Sequence, residues 1–492
     1  MKANTMNTKL ALKYYALSLL FTVLSITQLW AYDFNAISPS GHRLYYTITS
    51  NTAPRTVEVV PPAGNTGYSG YTAPTGSVIV PETVTYLGNT YRVAKLADRA
   101  FYNCTQILTL SLPSSLKYIG NNACYNNYAL TSIVIPDSVT FIGVAAFQYN
   151  RAMTSVVLPA QLQTIGNQAF YGSTALSSIS TIPASVTSIG LEAFHNTAFY
   201  NNSSNWVGDA LYKDNCLLAV KTTVTGNFAI VPNTRIIAGG AFKQCENITG
   251  VSMPNSVISI GNNAFEKCFS LSNLNFPSSI IIIGNNAFQE CTSLESVVLD
   301  YSVKTIGDYA FLNCTALQTV TWNTNAFISH HRNNSGNRPF EGCISLEQFI
   351  FGDSVRRICD YALYGWGYNG NQDNYFRNLK TVIIGDNVDT IGIYAFDSNY
   401  KLDSVRWGGS VTTIGDYAFL RTGLKNLTIP STVKTINRSA FENCDSLLSI
   451  EIPSSVTTIG EYVFNMCDTL TTILWNTNVV SYNRVQNVFE KI

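Results

Sequence analysis

The chain's eleven cysteines are the first residues that could do chemistry. Cys245, Cys268, Cys291 and Cys314 lie 23 residues apart, and Cys104, Cys343, Cys444 and Cys467 take the same place in a recurring segment. Such a column could form disulfides or hold a metal. If the segments stack as strands do, neighbouring Cα atoms lie about 5 Å apart, which a disulfide permits. The side chains would point in parallel, however, and that suits the S–S torsion badly. Other copies put Asn127, Asn150, Ser173, Asn399 or Thr422 in this place. A covalent framework would not tolerate such swaps singly, so the cysteine reads as a small buried filler. The sequence has no Cys-x-x-Cys pair to suggest zinc.

The other reactive types are no more convergent. None of His42, His195, His330 and His331 sits at triad or metal spacing from suitable partners. His330-His331-Arg332 reads as part of a solvated loop. Ser114-x-x-Lys117 and Ser431-x-x-Lys434 match a Ser-Lys nucleophile pattern. Both serines follow a proline at one turn of the repeat, so coincidence accounts for them. No phosphate-cradling glycine loop with a lysine is found. The sequence therefore assigns no catalytic residue, no cofactor and no metal ligand. Lys+Arg and Asp+Glu both number 30, so no basic excess is available to neutralise phosphates, which argues against a nucleic-acid partner. Charged residues are only 12 %, so the surface must be polar through Asn, Ser, Thr and Tyr.

What positions these residues is a repeat. Ile-Gly followed two residues later by Ala-Phe recurs at Ile142, Ile165, Ile260, Ile283, Ile306, Ile391 and Ile414. With degenerate copies it runs from Leu96 to Ile459, commonly every 23 residues. The unit from Leu447 to Cys467 shows the parts well. Ile450 and Ile452 alternate as in a leucine-rich-repeat strand with one face buried. Pro453 ends the strand. Gly460 is expected to supply a positive φ or a tight corner, and Phe464 to reach back across the coil. One unit buries too little apolar surface to offset the entropy of ordering its backbone, so the copies must stack.

The pattern predicts a repeat solenoid: a leucine-rich-repeat right-handed coil of ~23-residue units. It should carry a parallel β-sheet on the concave face and little α-helix. Residues 32–95 lack the repeat and are expected to form a small antiparallel β cap, because an open sheet edge is adhesive. The solenoid is expected over 96–492, with insertions near 195–236, 323–337 and 365–375. These insertions read either as ligand-binding loops or as tolerated drift. A hairpin is expected over Trp206–Tyr212. Val488-Phe489-Glu490 parallels Pro339-Phe340-Glu341, so the last unit is expected to be partial. Residues 1–31 read as a secretory signal peptide, with Lys2, Lys9 and Lys13 before an apolar run from Tyr14 to Ile26. No later stretch is long and apolar enough to span a bilayer.

The repeat from Leu96 to Phe489 resembles that of the BspA-type leucine-rich-repeat bacterial surface proteins. Tyr32-Asp33-Phe34, Tyr45-Tyr46 and Gly88-Asn89-Thr90-Tyr91 are similar to that family's entry segment. The resemblance implies an exported, extracellular or cell-surface protein of a bacterium that adheres to host matrix proteins or other cells. Independently of it, the residues between the paired apolar strand positions should face the concave side. They include Val134, Val157, Asn275, Val298, Thr321, Ile350, Ile383 and Arg406. With Trp366 and Tyr368 of the third insertion, Val134, Val157, Asn275, Thr321, Ile350, Ile383 and Arg406 make up the candidate ligand surface. This weakly polar face suits a protein or glycan partner. A structural spacer or surface-layer scaffold is the alternative.

Overall fold

The computed structural model describes residues 31–328, 338–365 and 376–477. The signal-peptide reading, save Ala31, and the partial last unit lie outside them. The chain divides into two compact units. The first comprises residues up to Ser185 together with Phe194–Asn201, and the second comprises Val186–Ala193 together with residues from Asn202 onward. Both are parallel β-solenoids. The sole α-helix among the described residues is Ala198–Asn201. No helix there is long and apolar enough to cross a membrane.

Each regular coil has two short strands. The first is the Ile-x-Ile portion, as in Ser449–Ile452, where Ile450 and Ile452 are buried and Glu451 between them is half-exposed. The second is the pair before the glycine, as in Thr458–Ile459, with the isoleucine inward. Like strands of successive coils pair in parallel, forming two ladders. In the second unit one ladder runs through Ser296–Leu299, Thr319–Trp322, Gln348–Phe351, Thr381–Ile384 and Ser404–Arg406. The longer spacings after Trp322 and Ile358 leave this register unbroken.

A third set of inter-coil bonds lies in the turn around Ala-Phe. Asn263 and Lys267 have φ of 58° and 63°, and Asn286 and Glu290 have 53° and 59°. With these left-handed residues four apart, every second amide of the turn points outward along the stack. Thus Asn263, Phe265 and Lys267 donate to the carbonyls of Asn285, Ala287 and Gln289 in the next coil, at 2.9, 2.7 and 2.8 Å. The amides between them close turns within their own coil, as Ala264 does to Gly261. The backbone is satisfied there without strand or helix. The phenylalanines inside this turn form a column, with centroids 4.7–5.1 Å apart from Phe242 through Phe265 and Phe288 to Phe311. Those distances match the spacing of hydrogen-bonded strands.

The glycine after the second strand does not have the positive φ expected of it. Gly261, Gly284, Gly307 and Gly460 are absent from the left-handed residues, whose non-glycine members are mostly Asn, Tyr, Glu and Gln. What requires glycine is close approach. A Cβ on Gly284 would lie 2.6 Å from the Asn262 nitrogen of the preceding coil, and one on Gly460 would lie 2.4 Å from that of Arg438.

At the start of the first unit, β1 (Phe34–Ile37), β2 (Arg43–Ser50) and β3 (Thr56–Val60) pair antiparallel, as do β5 (Thr83–Tyr86) and β6 (Asn89–Leu96). Within the segment β3 pairs in parallel with β6, and two further parallel pairs join it to the ladders: β6 with Tyr118–Ile119, and β4 (Gly76–Ile79) with β7 (Ile107–Ser111). In the second unit Trp206–Val207, Ala210–Lys213 and Cys216–Val220 form an antiparallel meander. Its last strand pairs in parallel with Ile236–Ile237 and so rejoins the repeat.

Gly284→Ala is expected to lower stability by about 1–3 kcal/mol, the usual cost of overpacking. At Gly409 a Cβ would meet only an Asp386 carboxylate oxygen, at 3.8 Å. Gly409→Ala should stay within about 0.5 kcal/mol of the parent. Urea unfolding of the two variants checks both values.

Candidate functional site

The cysteine column is inside the protein. All eleven thiols are free, and only Cys359 is not fully buried. Burial pushes the thiols of Cys216 and Cys245 up to about 12, far from the reactive thiolate range. Each regular copy makes one specific bond. The Sγ of Cys268, Cys291, Cys314 and Cys467 donates at 3.2 Å to the carbonyl of Phe242, Phe265, Phe288 and Phe441, in the preceding coil. At Asn150, Ser173 and Asn399 the bond persists without cysteine, whereas Thr422 donates to Phe419 of its own coil and the Asn127 side chain makes no such bond. Ser173 Oγ donates to the Phe147 carbonyl at 3.0 Å, and Asn399 Nδ2 to that of Leu363 at 2.8 Å. The position is therefore a buried inter-coil donor as well as a filler. The recurrence of Cys, Ser, Asn and Thr at this place was the sign of this in the sequence.

The remaining reactive types do not assemble. His42 shares a 2.9 Å hydrogen bond with Ser40 Oγ, and His195 lies between Tyr171 and Tyr200. His330 and His331 fall outside the described residues. The Ser114 amide donates to the Glu82 carboxylate, and Ser431 is exposed at the equivalent turn. Asp397 is buried against Arg421 at 3.2 Å. Burial pushes its carboxyl up to about 6, although Arg421 and the Ser398 hydroxyl act the other way. Among the described residues, no three His, Cys, Asp or Glu side chains group as a metal site would need.

The outward face of the first ladder is where the candidate residues meet. In the second unit Val298, Thr321, Ile350, Ile383 and Arg406 are direct partners on successive strands, one row across five coils. Val298 is 59 % exposed and Arg406 is exposed, while Thr321, Ile350 and Ile383 are half-exposed. Beside them runs a polar row of Ser296, Thr319, Gln348, Thr381 and Ser404. In the first unit Ser111, Val134 and Val157 make the equivalent row, with Val134 71 % and Val157 53 % exposed. Asn275 is exposed just past the strand Asn273–Leu274. Trp366 and Tyr368 lie outside the described residues.

A family model, that of the BspA type leucine-rich repeat region, matches residues 76–201, 235–368 and 372–491 in six copies. The chain belongs to the BspA-type leucine-rich repeat family. Among solved structures it is similar to a leucine-rich repeat protein of Bacteroides ovatus. That protein is 25 % identical over 90 % of this chain and 94 % of the other, with a TM-score of 0.37. It is also similar to a leucine-rich cell-surface protein of Faecalibacterium prausnitzii, 22 % identical over 94 % and 98 % with a TM-score of 0.31. No curated protein matches the chain.

The BspA-type repeat carries one feature that hydrophobic pattern alone did not disclose. The left-handed residue before Ala-Phe is tyrosine in Tyr361, Tyr394 and Tyr417, and these rings stack at 5.1 and 4.6 Å. Its sign is the run of Asn, Tyr, Gln and Glu at a place where β-branched residues never occur.

Cys291→Ala removes one of two donors to the Phe265 carbonyl, which keeps the Cys268 amide at 3.2 Å, and should cost about 0.5–1.5 kcal/mol. Cys291→Ser keeps a donor and should cost measurably less. Denaturant unfolding of the two variants under reducing conditions gives the comparison.

Proposed function

We propose that this is an exported bacterial surface protein that binds host or microbial macromolecules without catalysis, using the outward face of the first ladder. The observation that carries the reading is the row Val298, Thr321, Ile350, Ile383 and Arg406, held in register on successive strands beside a hydroxyl and amide row. Isolated exposed aliphatic residues need no explanation, but a contiguous row is a contact surface. A rigid ladder presents it with little entropy left to lose on binding. Family membership agrees with a surface location and a binding role. Folding alone does not require these side chains to be apolar, since Ser252 and Thr428 serve at the equivalent place in other coils.

The double variant Ile350→Asp, Ile383→Asp should fold normally, because both residues are only half-buried. It should lose at least tenfold in affinity for matrix proteins or bacterial cells that the parent retains at micromolar concentration. A parent that retains no such partner, or a variant that binds as well as the parent, would overturn the reading. Concentration-dependent self-association of the parent, seen by ultracentrifugation without any other partner, would favour the spacer alternative.

A further inference from the structure

In the first unit the face described above deepens into a groove of about 490 Å³, lined by Glu82, Thr109, Ser111, Ser114, Ser132 and Val134 with Leu110, Leu112 and Pro136. Its chemistry is two-sided. Leu112, Val134 and Pro136 offer aliphatic walls, and Thr109, Ser111, Ser114 and Ser132 offer hydroxyls. Glu82 is exposed and supplies the sole ionisable side chain of the lining. Its carboxylate accepts the amides of Ser114 and, at 3.2 Å, Ser115. Burial acts to raise the Glu82 carboxyl, but the hydrogen bonds from Ser114 and Ser115 outweigh it and hold the carboxyl below its ordinary range. Among the described residues, no lysine or arginine forms an ion pair with it. The groove thus presents a fixed anion, tethered at two points, that lacks a cation of its own.

We propose that this groove takes a lysine or arginine side chain of an extended protein segment, its aliphatic stem along Val134 and Pro136 and its cationic head at Glu82. The proposal rests on the binding reading above and names the chemistry of the partner in the first unit. Long basic side chains combine the two characters that the groove offers, an apolar stem and a charged tip. The hydroxyls bordering the carboxylate accept the remaining donors of an ammonium or guanidinium. A glycan fits less well, because no aromatic ring lines the groove to stack against a sugar face.

The test uses the full chain and a panel of immobilised hexapeptides. The panel holds one sequence of Val, Thr and Ser with a central Lys, Arg, norleucine or Glu, beside a chitosan oligomer. Lys and Arg peptides should bind at least tenfold more tightly than norleucine or Glu peptides, with an affinity that falls as salt is raised. Glu82→Gln should remove that preference. Because Glu82 also holds the Ser114 turn, Ser111→Lys serves as a second variant. It leaves those hydrogen bonds intact and places a competing cation in the groove, and it should abolish the preference as well. Equal binding of all four peptides, a preference that survives both variants, or binding of chitosan alone would overturn the proposal. Ile350→Asp, Ile383→Asp in the second unit separates the two claims. If that variant loses a matrix partner while Glu82→Gln keeps it and no peptide preference is seen, the groove proposal fails and the general binding reading stands.

Discussion

Within each unit the described coils depend on backbone amides that find their acceptor in the neighbouring coil. A 23-residue loop of chain cannot satisfy its own polar backbone and bury a core at once. Here three inter-coil systems supply the missing partners, namely the two strand ladders and the turn around Ala-Phe, whose left-handed residues lie four apart. They hold the coils at one spacing, and the side-chain features follow from it. The Phe column stacks at that spacing, the cysteine thiol reaches the carbonyl of the coil before it, and the glycine is the residue that lets two backbones come so close. Asn285 adds a clamp of the same kind, its side-chain oxygen accepting the Asp308 amide at 2.9 Å.

Much of this was legible in the sequence because a repeat displays the same constraint many times over. The alternation at Ile450 and Ile452, the stop at Pro453 and the inward Phe464 follow from hydrophobic period and proline chemistry. The reason for Gly460 was not legible. A glycine serves either a left-handed φ or a close approach, and only the position of Arg438 in the preceding coil decides between them. Left-handed geometry fell instead to residues such as Tyr462 and Asn443, whose side chains gave no such sign singly. For the cysteines the sequence favoured a small buried filler over a disulfide ladder, and the donor role needed the Phe carbonyls to be located.

The candidate surface was legible in part. Period-two alternation picks out Thr321, Ile350 and Ile383, and strand register then places them side by side. Alternation alone could not show that the spacings after Trp322 and Ile358 leave the ladder intact. Nor could it join Glu82, which lies ahead of the repeat, to Ser114 and Val134 within it. That juxtaposition depends on β4 pairing in parallel with β7.

Native-state hydrogen exchange read by mass spectrometry tests the central claim most directly. Peptides covering 261–268 and 284–291 contain turn but no strand, yet their alternate amides bond the next coil. The account predicts protection there comparable to that of the flanking strands Ser296–Leu299 and Thr319–Trp322, lasting far beyond that of ordinary surface turns. Exchange of these turn peptides within seconds at neutral pH, while the strands remain protected, would contradict it.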